Sequence, residues 1–146
     1  MDERIQTFLK DNSAASMITP RRDGSAHAVR VGVALVDGKI WSSGTQSRAR
    51  TKHLRRDRRA TLFVFEPAGW RWLSLESVVT VLDGPDAPDL NIKLFEVMQG
   101  ALPQQPRPRH LMWFGQEKTI DEFREAMIEE QRLIYEFEIQ RAYGMY

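Results

Sequence analysis

Ser42-Ser43-Gly44-Thr45-Gln46-Ser47-Arg48-Ala49-Arg50-Thr51-Lys52 is the stretch on which the reading of this chain turns. A β-forming run, Lys39 to Ser43, ends in small hydroxyl residues and a glycine. It then feeds the start of a helix loaded with cations. Thr45 or Ser47 can cap that helix, which the spacing extends to about Arg56. The free N–H groups of a helix N-terminus attract anions. Hydroxyls add donors, and Arg or Lys add charge-assisted bonds suited to phosphate. Basic residues in a first turn oppose the helix dipole, so a bound anion would account for them. A solvated basic helix face accounts for them equally well, and spacing alone leaves both readings open.

Working outward, Asp37-Gly38 is a hairpin turn signal. Before it, His27, Val29, Val31, Val33 and Leu35 alternate with Ala28, Arg30, Gly32 and Ala34, the period of a strand. Arg22-Asp23-Gly24 is another turn, Ala15 to Thr19 a short strand, and Asp2 to Lys10 a helix with Ile5, Phe8 and Leu9 on one face. After the basic run, Ala60 to Phe65 and Trp70 to Leu82 read as strands, with Trp70 and Trp72 on one face of the second. Leu90, Leu94, Val97 and Met98 mark a helix, and Pro103 to Pro108 excludes regular structure. Thr119 and Glu122 form a capping box for a helix carrying Ile120, Phe123 and Met127. Leu133, Tyr135, Phe137 and Ile139 make a last strand. The sum is one mainly β (α+β) domain over residues 1–146, six antiparallel strands in a barrel with four short helices outside.

A chain of 146 residues can build its own core without staples. With no cysteine, disulfides, thiol nucleophiles and cysteine metal sites are excluded. The charged N-terminus lacks an apolar signal segment and no run is long enough to span a membrane, so a cytoplasmic protein is expected. The net charge of +1 gives no general case for nucleic acid, and the basic run lacks interleaved aromatics. The acids collect later, from Asp121 to Glu138. His27, His53 and His110 show no ligand spacing, so no metal site is expected. Glu76 and Asp83 read as solvent-facing, and no catalytic residue can be named. Trp113-Phe114 beside the prolines reads as a lid or as packing.

Gly38 to Thr45 followed by Ser47-Arg48-Ala49-Arg50-Thr51-Lys52-His53-Leu54-Arg55-Arg56-Asp57 resembles the pyridoxamine-phosphate-oxidase-like split-barrel superfamily. Within it, the chain is most similar to the actinobacterial flavin/deazaflavin oxidoreductases, the branch that includes deazaflavin-dependent biliverdin reductases. Arg22 to His27, Ala60 to Phe65 and Arg132 to Gly144 agree with the pattern. The resemblance implies an FMN-binding-type split barrel, a homodimer whose partner completes the pocket, and reduction chemistry. It places the cofactor phosphate on Arg50 and Lys52, with Ser43, Gly44 and Thr45 before them. It lays the ring against backbone near Val31 to Ala34, Val31 and Gly32 foremost, and near Trp41 to Ser43. His53 stands where the family has Asn, Arg58 where it has Pro, and no aromatic follows Arg30. The expected function is hydride transfer from reduced coenzyme F-420, a deazaflavin, to a small organic acceptor. The alternatives are an FMN-dependent oxidoreductase and a cofactor-binding protein without turnover.

Overall fold

Asp2 accepts a hydrogen bond from the Ile5 N–H at 2.8 Å and so caps α1 (Glu3–Asp11) in a computed structural model that describes residues 1–146. β1 (Ala14–Pro20) and β2 (Ala26–Gly32) form a hairpin whose turn places Gly24 at φ +87°. β3 (Ala34–Val36) and β4 (Lys39–Thr45) form another across Asp37 and Gly38, both at positive φ, the conformation that Asp-Gly adopts readily. The chain continues through α2 (Ala49–Arg56), β5 (Arg59–Phe65), β6 (Trp72–Leu82) and α3 (Ala87–Gly100). A small hairpin of β7 (His110–Trp113) and β8 (Gln116–Thr119) leads to α4 (Ile120–Glu129) and β9 (Arg132–Met145). No helix is long and apolar enough to cross a membrane.

The main sheet has seven antiparallel strands in the order β2-β1-β5-β6-β9-β4-β3. Six were expected. The difference arises at Val33, which donates to the Ser13 carbonyl at 2.8 Å and so ends the ladder with β1. Ala34, the next residue, already pairs with Trp41 of β4. One continuous alternation therefore serves two partners, because Val31, Val33 and Leu35 all face the same core. The edge strands β2 and β3 are consecutive in the chain, so the sheet rolls into a barrel. Its edges meet where Ser42 Oγ donates to the Gly32 carbonyl at 2.7 Å. Beyond that point no ladder joins β2 to β4, and the barrel is split.

The barrel interior collects Met17, Val33, Ile40, Leu62, Leu75 and Tyr135, all fully buried. α1 closes it with Ile5, Phe8 and Leu9, and α2 with Leu54. Outside, Leu94 of α3 covers Ala34, Val36, Trp41 and Ile134. A third cluster joins Ile92 of α3 to Leu111, Phe123 and Met127. Trp113 belongs to this packing, with its ring centroid 5.2 Å from Phe95 and 5.5 Å from Phe123. Phe114 sits exposed in the turn of the hairpin. Trp70 does not share a strand face with Trp72: it lies before β6 and is 88% exposed.

Gly44 faces the interior, where a Cβ would overlap the Tyr135 ring and hydroxyl. Overpacking of this kind costs about 1–3 kcal/mol. Gly44→Ala should lose that much stability in urea unfolding. Gly100→Ala, with open space around it, should stay within roughly 0.5 kcal/mol of the parent. Equal effects of the two would contradict this packing.

Candidate functional site

α2 begins later than expected. Thr45 is still paired with Arg132 of β9, so it cannot also cap the helix. Its carbonyl instead accepts from the Arg48 N–H at 3.3 Å and from Thr51 Oγ1 at 2.7 Å, and its Oγ1 lies 3.5 Å from Ser47 Oγ. Arg48 is the N-cap, no side chain caps the helix, and its first turn holds no acid. The helix N-terminus is therefore unneutralised.

Arg50, in that first turn, is half-buried. Its Nη2 makes a long contact of 3.5 Å to the Ser43 carbonyl, and its buried Nε has no partner. The guanidinium lies 5.6 Å from the centroid of the Tyr135 ring. Burial pushes its pKa below the ordinary value, Arg48 and Arg132 add like-charge repulsion, and Tyr135 acts in the opposite sense. Arginine keeps its proton in proteins, so the group stays a half-buried cation without a carboxylate beside it. Beneath it, Thr51 Oγ1 spends its proton on the Thr45 carbonyl, so the buried Tyr135 hydroxyl must donate to Thr51.

The basic run divides into two halves. Arg55 is paired with Asp83 at 2.8 Å and Arg59 with Asp57 at 2.7 Å. Arg58 bonds to the Val79 carbonyl and Thr80 Oγ1, and Arg56 to the Pro20 carbonyl. These side chains tie α2 and its exit to the barrel. Arg48, Arg50 and Lys52 have no carboxylate partner. Arg132, close by, is paired with Glu130 and lies over Trp113. Three cations without a carboxylate partner thus stand together at the head of α2, below the split.

The other predicted residues are placed as follows. The Ser43 hydroxyl donates to Oδ1 of Asn91, which is fully buried on α3. Val31 points into the barrel core, and Gly32 is covered by Met98. What Val31 and Gly32 offer toward the split is therefore backbone. Lys52 is exposed on α2. Glu76 and Asp83 form no acid pair: Glu76 accepts from the Tyr143 hydroxyl at 3.0 Å, and Asp83 holds Arg55. A cavity of about 530 Å³ lies on the other side of the sheet, lined in part by Ile18, Thr61, Glu76 and Val78, and includes none of the predicted residues. One association has no sequence signal: α2 brings His53 against His27, with ring centroids 4.9 Å apart.

The sequence profile of the family described as pyridoxamine 5'-phosphate oxidase matches residues 1–143. Solved structures agree in fold. The conserved hypothetical protein Rv2991 from Mycobacterium tuberculosis superposes with a TM-score of 0.77 at 17% identity, over 99% of this chain and 84% of its own. An F-420 reductase gives 0.67 at 15% identity, over 98% of each chain. A FAD-binding protein from Mesorhizobium loti gives 0.62 at 12% identity, over 97% of this chain and 89% of its own.

Burial raises the Tyr135 pKa above its ordinary value of 10.0, against the opposing pull of the Arg50 and Arg48 charges. A raised folded pKa contributes stability that is complete below pH 10 and is lost as pH rises further. In an absorbance titration one of the three tyrosines should ionise late, and that component should vanish in Tyr135→Phe. A late component that survives the substitution would assign it to another tyrosine.

Proposed function

We propose that this chain, which belongs to the pyridoxamine 5'-phosphate oxidase family, is an oxidoreductase whose cofactor is a phosphate-bearing flavin or deazaflavin, with reduced coenzyme F-420 the preferred form and a small organic molecule the acceptor. The observation that carries the proposal is Arg50: a half-buried guanidinium without a carboxylate, with an unpartnered Nε, at an uncapped helix start. A phosphate supplies the missing charge and acceptors. Arg50 and Lys52 hold it, and Ser43, Gly44 and Thr45 line its approach. The unpaired backbone edges of β2 and β4, near Val31, Gly32 and Ser43, offer donors and acceptors to a planar ring. When bound, the reduced deazaflavin supplies a hydride. The protein's part is to anchor, orient and exclude water, which fits a site without an acid–base pair or metal ligands. The similarity to an F-420 reductase supports the deazaflavin. The similarity to a FAD-binding protein supports a flavin, and FMN carries a phosphate that the same residues would hold.

Side-by-side titrations with the deazaflavin and FMN should show tighter deazaflavin binding. Equal or reversed affinities would replace the deazaflavin by FMN. Binding without turnover of any acceptor would leave a cofactor-binding protein. A hydrogen bond to a charged group is worth roughly 1.5–3 kcal/mol. Arg50→Ala and Lys52→Ala should each weaken binding about 10- to 100-fold. Arg55→Ala should do far less, because Arg55 is engaged by Asp83 and Gln46. Equal losses in the Lys52 and Arg55 variants would show that the phosphate sits elsewhere.

The outer face of β1, β5, β6 and β9 supports the homodimer. Ile18, Phe63, Phe65, Trp72 and Val78 are only half-buried there, and Tyr143 is 44% exposed. Phe63 and Trp72 pack with ring centroids 5.6 Å apart in a tilted arrangement, which leaves an aromatic strip suited to a two-fold interface. Light scattering at micromolar concentration should report a dimer, and Phe63→Glu a monomer with weakened cofactor binding. A parent monomer that binds cofactor fully would remove the dimer from the account.

A further inference from the structure

We infer that Thr19, His27 and His53, flanked by Arg21 and Arg56, form a second anion subsite, which takes a carboxylate or phosphate-type oxyanion when the imidazoles carry a proton. The β1–β2 register places Thr19 directly opposite His27, so both side chains lie on one face. α2 delivers His53 to the same spot, with Nδ1 2.9 Å from Thr19 Oγ1 and its ring edge-on to that of His27. His27 Nδ1 is buried without a partner, a state that native proteins seldom tolerate unless a ligand or water completes it.

The surroundings are cationic. Arg21 bonds to the Ala26 carbonyl at 2.7 Å and Arg56 to the Pro20 carbonyl, so both guanidinium charges are left unneutralised by these contacts. Two carboxylates lie in the adjoining turns: Asp23, bonded to Ser25 and in the field of Arg21, and Asp57, paired with Arg59 and in the field of Arg56. Arg50 stands one turn earlier on α2. No group of three or more His, Asp or Glu side chains is placed to hold a metal ion, and the two arginines would repel one. Burial, then His27, Arg56 and Arg21, holds His53 below its ordinary value of 6.5. While the subsite is empty, protonation is therefore opposed, and stability falls as pH drops below 6.5. A bound anion reverses the local potential. By linkage it must raise the proton affinity of the rings, and protonation must tighten the anion. The inference does not depend on which cofactor the split at Arg50 binds.

The test follows the ring protons of the three histidines by NMR between about pH 5 and pH 8. The intact protein is titrated in sodium chloride, sodium sulfate and sodium formate at matched ionic strength. Sulfate or formate should raise the midpoints of His27 and His53 above those in chloride and leave His110 unchanged. A response to sulfate alone assigns a phosphate-type group, and one to formate alone a carboxylate. The effective anion should bind about tenfold tighter at pH 5.5 than at pH 7.5, and His53→Asn should abolish that gain. His27→Gln should shrink the His53 response, because both rings share the ion. Identical midpoints in the three salts would overturn the inference, as would a His53 response that His27→Gln leaves intact.

Discussion

Val33 joins the two edges of one sheet. Its N–H closes the ladder of β2 on β1, and the next residue opens the ladder of β3 on β4. A seven-stranded sheet whose edge strands are consecutive in the chain has to roll, and its edges can touch only near the joint. The Ser42 hydroxyl on the Gly32 carbonyl marks that touch. Away from it β2 and β4 part, each with one unpaired backbone edge. Open edges invite foreign strands. Here they belong to the same split, at the end of the barrel that α2 plugs with Leu54.

The placement of α2 sorts the cations. Its exit is tied down: Arg55 pairs with Asp83, Arg59 with Asp57, and Arg56 and Arg58 bond to neutral backbone and hydroxyl oxygens. Its entrance is not. Arg50 is pressed between the Tyr135 ring and the Ser43 carbonyl, with two further arginines acting against it. Holding a charge half-buried without a partner is unfavourable, and the fold supports it with the Tyr135–Thr51–Thr45 chain below. Gly44 makes that chain possible, since any side chain there would occupy the space of the Tyr135 hydroxyl. Stability and the exposure of the Arg50 charge are thus coupled at one small patch of β4.

Much of this was legible in the residues. Asp-Gly pairs marked both early hairpins, and Thr119 with Glu122 marked the start of α4, where both reciprocal bonds form. Period-two alternation located the strands of the barrel. It could not show the change of partner at Val33, because the side-chain pattern runs through the joint unbroken. The β7–β8 hairpin was invisible for a different reason: Gln116-Glu117-Lys118 has no apolar face, and the hairpin is held by Leu111 and Trp113 packing on α3 and α4. The basic run was conspicuous, but its division into paired and unpaired halves depends on Asp83 and Val79, distant in sequence. The His27–His53 contact spans 26 residues and is created by the docking of α2 on β1. The Ser43–Asn91 bond likewise depends on where α3 lies.

The central claim is that the unneutralised Arg50 at the mouth of the split awaits a phosphate. A crystal structure of the protein with the deazaflavin or FMN bound tests it most directly. The account predicts a phosphate oxygen within hydrogen-bond distance of the Arg50 guanidinium, with Lys52 turned toward it and the ring between the edges of β2 and β4. A cofactor whose phosphate lies elsewhere, with Arg50 still resting on the Ser43 carbonyl, would contradict it.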